Sequence, residues 1–136
     1  MKIIFDTNIW ISFLLGKRLA VLSEIFSKKD IEIYISKELI EEITLVACRS
    51  KFSNKITRAS LNNLLELLNV RCNNVSTDIG GEFLIRDEKD IFVLKMAKNI
   101  PADLIVTGDK DLLILSYLDE TKIITFAEFK EKYLSK

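Results

Sequence analysis

Two rhythms of apolar and polar positions alternate along this chain. Residues 2–5 form a short, nearly unbroken apolar run, as expected of a strand buried on both faces. Asp6-Thr7-Asn8 ends it with three side chains that can accept from free helix N–H groups. Residues 9–15 then read as a helix with Gly16 after it, and Leu19, Leu22, Ile25 and Phe26 form the stripe of a second helix over 19–26. Residues 31–35 are the next strand. Ser36 caps a helix whose buried face holds Leu39, Ile40, Ile43, Val46 and Ala47. Residues 54–68 carry another amphipathic helix on Ile56, Leu61, Leu64, Leu65 and Leu68. Beyond it the pattern predicts a short strand over 70–75, a loop over 76–84, and a helix from Asp87 with Ile91, Leu94, Met96 and Ala97 on its stripe. A strand over 103–107, a short helix over 110–115, a strand over 122–125 and a helix over 127–134 complete the chain. Strands alternating with helices make this an α/β protein, a parallel sheet with helices on both faces. Ligands of such sheets bind beyond the carboxyl ends of the strands, near the switch in strand order.

The 136 residues amount to one domain, 1–136, with no repeat and no Pro-, Gly- or Ser-rich linker. A hydrophobic fraction of 49% is enough for a core. No apolar run approaches the roughly 18 residues of a membrane span. The N-terminal apolar stretch is cut by Asp6 and lacks a cleavage-type ending, so a cytoplasmic protein is expected. The 20 basic and 20 acidic residues cancel, which argues against a protein held on nucleic acid mainly by bulk charge. The basic residues are nonetheless grouped, at Lys17-Arg18, at Lys28-Lys29, and at Arg49, Lys51, Lys55 and Arg58. Solvated helix faces are their ordinary reading, and a basic surface beside an acidic pocket also suits a phosphodiester. Cys48 and Cys72 have no ligand-like spacing and the chain has no histidine, so a zinc site is excluded and both cysteines read as small buried hydrophobes.

Without histidine, the chemistry must rest on carboxylates. Four acidic stretches fall where the fold delivers side chains to one sheet edge. Asp6 ends the first strand, and Asp109 follows the strand before Thr107-Gly108. Asp90 lies in the first turn of its helix, where the dipole also favours an anion for purely structural reasons. Glu38, Glu41 and Glu42 share one helix. At about 100° per residue, Glu42 stands roughly 100° from the centre of the apolar face, and the other two stand roughly 140–160° away. Glu42 therefore borders the buried face. Four such carboxylates repel one another, and some of them are pushed to hold protons near neutral pH unless cations neutralise them. Mg²⁺ or Mn²⁺, as one ion or two, takes oxygen ligands and can lower the pKa of a bound water, making a nucleophile without histidine. Asn8 and Thr107 are candidate supporting residues, although Asn8 also reads as a helix cap and Thr107 as an ordinary β-branched strand residue. Asp87 and Asp111 each sit beside a stronger candidate and can cap their helices. Trp10 reads as core rather than as a base-stacking platform.

These segments resemble the PIN-domain proteins in order and spacing. The residues that carry the likeness are Ile3 through Asn8, Ser36 through Ile43, Asp87-Glu88-Lys89-Asp90 running into Leu94 and Ala97, and Ala102 through Leu113. The nearest likeness is to the toxin branch of toxin–antitoxin systems, similar to VapC-type ribonucleases. The resemblance implies a Rossmann-like three-layer α/β/α sandwich around a parallel sheet and cleavage of RNA with Mg²⁺ or Mn²⁺. It places the family's acidic quartet on Asp6, Glu42, Asp90 and Asp109, with Asp111 as a fifth metal ligand in some relatives and Asn8 and Thr107 at supporting polar positions. Spacing to Ala97 picks Asp90 over Asp87. A homodimer and a cognate antitoxin protein that obstructs the site are likewise implied. A catalytically idle binding module of the same fold is the competing expectation, and so is a nuclease or phosphatase acting on DNA or other phosphoesters. Intact acids at all four positions favour the enzyme. Nothing in the residues themselves distinguishes RNA from DNA.

Overall fold

A computed structural model describes residues 1–16, 19–75 and 91–134. The elements are β1 (Lys2–Phe5), α1 (Thr7–Gly16), α2 (Leu19–Ser27), β2 (Glu32–Ile35), α3 (Lys37–Ala47), α4 (Arg58–Arg71) and β3 (Asn73–Asn74), followed by α5 (Ile91–Asn99), β4 (Leu104–Val106), α6 (Lys110–Leu113), β5 (Tyr117–Leu118), β6 (Thr121–Ile124) and α7 (Phe126–Phe129). The sheet order is β3-β2-β1-β4-β6-β5. Every pairing is parallel except β5 with β6. With helices covering the sheet, the molecule is the expected α/β/α sandwich.

Strand order follows from composition. β1 and β4 are apolar throughout apart from Lys2, and they lie in the middle, where Ile3, Ile4, Phe5, Ile105 and Val106 are fully buried. Chain order runs outward from β1 through β2 to β3 on one side, then returns to β4, β6 and β5 on the other. The switch point is therefore the seam between β1 and β4, registered as Ile3 to Leu104 and Phe5 to Val106. One aromatic cluster fastens α1 and α7 to β1. Phe5 meets Trp10, Phe13, Phe126 and Phe129 edge-on, with ring centroids 5.4–6.3 Å apart. The Trp10 indole N–H donates to the Phe5 carbonyl at 3.0 Å, so Trp10 is core, as its sequence context implies.

Several boundaries differ from the pattern, each for a local reason. α4 starts at Arg58 because Thr57 caps it, its hydroxyl accepting from the Ser60 N–H at 3.0 Å. Ile56 is buried ahead of the helix, on a turn that begins with a short 3₁₀ segment, Ser50–Phe52. α4 then runs on to Arg71 because Cys72 continues the stripe of Leu64 and Leu68, which leaves β3 only two residues. β5 is too short to show a period of two, and its hairpin turns at Asp119, φ 53°, a left-handed conformation that Asp tolerates. After α7 the chain passes into a π turn, Lys130–Leu134, rather than continuing as one helix. Cys72 is buried, but Cys48 is exposed just past the end of α3, contrary to its reading as a buried hydrophobe. Among the described residues no helix is long and apolar enough to cross a membrane.

Candidate active site

The seam between β1 and β4 delivers two side chains to one place. Asp6 follows β1 and is held in the sheet by its own N–H, which donates to the Val106 carbonyl at 2.9 Å. Its side chain is 4% exposed. One carboxylate oxygen accepts from the Thr7 N–H at 2.8 Å, and the other accepts from the Thr107 hydroxyl at 2.8 Å. Thr107 follows β4, is fully buried, and in turn accepts from the Asp109 N–H at 3.0 Å. A single hydroxyl thus ties the two strand ends together. Asn8 makes a second tie, its side-chain oxygen accepting from the Gly108 N–H at 3.1 Å. Thr107 stands just past the strand with its hydroxyl on Asp6, and Asn8 steadies the turn after β4 from the first turn of α1.

Glu42 arrives from α3. Ser36 caps that helix, its hydroxyl accepting from the Leu39 N–H at 3.1 Å, while Leu39, Ile43 and Ala47 bury the inner face. Glu41 is exposed and Glu42 is half-buried, as helix geometry requires of a residue beside the apolar stripe. Glu38 is also half-buried, although the same geometry turns it toward solvent.

Asp6, Glu42 and Asp109 line one cleft of about 360 Å³, together with Thr7, Asn8, Ile11, Ser12, Leu15, Val46, Arg49, Lys51 and Phe52. That volume lies within the range of small-ligand clefts, roughly 300–1,000 Å³. Burial pushes the Asp6 carboxyl above its ordinary pKa; the Thr107 and Thr7 hydrogen bonds pull it back, and the negative charges of Asp109 and Glu42 push it up again. Asp109 caps α6, accepting from the Asp111 N–H at 2.8 Å. Asp111 itself is exposed and is not among the residues lining the cleft. Asp87 and Asp90 lie outside the described residues. Arg49, Lys51 and Phe52 were visible in sequence only as part of a basic stretch. No local signal marks them as neighbours of the acids, because both cations lie past the end of α3 at Ala47.

Comparison with family models matches residues 2–111 to the PIN domain, from the first residue of β1 into α6. The chain belongs to the PIN-domain family. PIN domains have a nuclease fold and typically use divalent metals. A search of curated proteins finds no match to the chain. In this PIN domain, no three acidic side chains among the described residues stand close enough to hold an ion jointly. The donor set nevertheless fits such an ion in kind. It is all oxygen, it is anionic, and it includes a buried carboxylate whose neighbours oppose its charge.

Proposed function

We propose that this PIN domain is a metal-dependent endoribonuclease and the toxin of a prokaryotic toxin–antitoxin pair. One observation carries the reading: Asp6, Glu42 and Asp109, from three separate elements, face a single cleft at the switch point of a PIN-family sheet. A scaffold has no use for mutually repelling carboxylates at that spot. Asp6, Glu42, Asp109 and Asp90 would hold one or two Mg²⁺ or Mn²⁺ ions, with Asp111 a further candidate ligand. A divalent cation, when held there, supplies acidity to water and positive charge toward the scissile phosphodiester.

The chain's own residues do the positioning. Thr107 fixes one oxygen of Asp6 and sets the start of the Asp109 turn. Asn8 holds that turn against α1 through Gly108. Ile11, Leu15 and Val46 give the cleft an apolar side. The toxin assignment, the antitoxin and a homodimer rest on the resemblance of the sequence motifs to the toxin branch of the family.

The test is cleavage of a mixed RNA and DNA panel with Mn²⁺, with Mg²⁺ and with chelator, beside Asp6→Asn. RNA cleavage that needs metal and disappears in Asp6→Asn is the expected result. Cleavage in chelator, or an Asp6→Asn protein as active as the parent, would overturn the carboxylate mechanism. Preference for DNA would overturn the substrate.

A further inference from the structure

The acids occupy only part of the cleft. Its basic wall is Arg49 and Lys51, on the turn that leaves α3. That turn is tied down at both ends: the Arg49 N–H donates to the Val46 carbonyl at 3.1 Å, and the Phe52 N–H donates to the Arg49 carbonyl at 2.9 Å. Phe52 is half-buried, packs against the core and lines the cleft itself. The Lys51 ammonium lies 5.0 Å from the centroid of the Phe52 ring, a cation–π contact that seats a flexible side chain beside the cleft. Neither cation is engaged by an acid in an ion pair among the described residues. Among the described residues, nothing acidic competes with a ligand for either charge.

We propose that Arg49 and Lys51 position the strand by binding backbone phosphates that flank the scissile one. The proposal rests on the nuclease reading above and names the residues that hold its substrate beside the acids. Position supports it. Arg49 and Lys51 stand on the turn that follows the helix carrying Glu42, and they line the same cleft as the three acids. Charge supports it too. The protein has no net charge, and the carboxylates repel phosphate, so attraction for a polyanion has to come from local cations placed beside them. Phe52 is then a positioning residue that acts through Lys51.

Cations near the carbonyl end of α3 would also complement its dipole. Such a purely structural role lowers thermal stability on substitution and leaves strand binding alone, so binding is the deciding measurement. The experiment is fluorescence anisotropy of a labelled oligouridylate with the full chain in chelator, for the parent, Arg49→Gln/Lys51→Gln and Phe52→Leu. The double variant is expected to bind roughly tenfold or more weakly, with the slope of log affinity against log salt reduced by roughly 0.7 per cation removed. Phe52→Leu, which keeps an apolar side chain there, is expected to fall between. Unchanged affinity and salt slope in the double variant, with its thermal melt intact, would overturn the proposal. So would a parent that binds the dinucleotide UpU as tightly as the oligomer. Because binding is read in chelator, these outcomes are independent of metal-dependent cleavage and its loss in Asp6→Asn, which decide the nuclease reading separately.

Discussion

The hydroxyl of Thr107 donates to Asp6 and accepts from the amide of Asp109, so two loops from different strands share one buried group. Replacing it with valine keeps the shape and the β-branch but leaves a buried carboxylate oxygen and an amide without their partner. Thr107→Val should destabilise the protein by about 1–3 kcal/mol in chemical denaturation, and Thr107→Ser should recover most of it. An equal loss in both variants would point to the methyl group instead. The two cysteines differ in the same local way. Burial pushes the Cys72 thiol up to about 12, whereas Cys48 is exposed. A thiol reagent at mildly alkaline pH should therefore titrate one thiol in the native protein and two after unfolding. Because the folded pKa of Cys72 lies above its ordinary 9.0, the folded state holds that proton more tightly. The contribution is fully present below pH 9.0 and is lost as pH rises toward 12, so stability should fall over that window. Cys72→Ala should flatten the fall. At this scale the sequence exposed residue types and little about surroundings. Nothing in the pattern separates Cys48 from Cys72, because exposure depends on where α3 stops and what covers its end.

The helix α3 carries Glu42 into the cleft, so its integrity sets the site as well as the fold. Ser36 is 1% exposed and caps its first turn. Ser36→Ala should lower stability by about 1 kcal/mol, read from the denaturation midpoint at unchanged slope. Ile43, one residue after Glu42, is fully buried, and Ile43→Ala should lower stability by about 2–5 kcal/mol. A surface-like cost at Ile43 would show that the helix face is placed wrongly. This cap and this face were both legible in the sequence, because Ser36 and the stripe from Leu39 to Ala47 obey local rules. The 3₁₀ turn after α3 and the strand β5 were not legible. Each is only two or three residues long, and each is held by partners distant in sequence or by turn geometry rather than by its own periodicity.

For the whole molecule, the decisive feature is the switch point that opens a cleft between β1 and β4 and sets α3 opposite it. If the cleft carboxylates hold a divalent ion in the folded state alone, Mn²⁺ should raise the melting temperature by mass action. At a hundredfold excess over the dissociation constant the gain is about 2.7 kcal/mol. Asp6→Asn should lose most of that gain while melting in chelator no lower than the parent, since it removes a buried charge opposed by Asp109 and Glu42. Equal shifts with Mn²⁺ in both proteins would place the ion elsewhere. The alternation of apolar strands and amphipathic helices was enough to determine the α/β class, the parallel sheet and the edge at which Asp6 and Asp109 emerge, because burial and periodicity act within a few residues. Choosing Glu42 over Glu41 likewise needed only helix geometry. Tertiary structure alone decided that Arg49, Lys51 and Phe52 share a cleft with those acids, that Thr107 bridges two of the strand ends, and that Asp111 is not part of the cleft lining. Those facts depend on how distant segments are brought together across the sheet, and no rule confined to neighbouring residues contains that information.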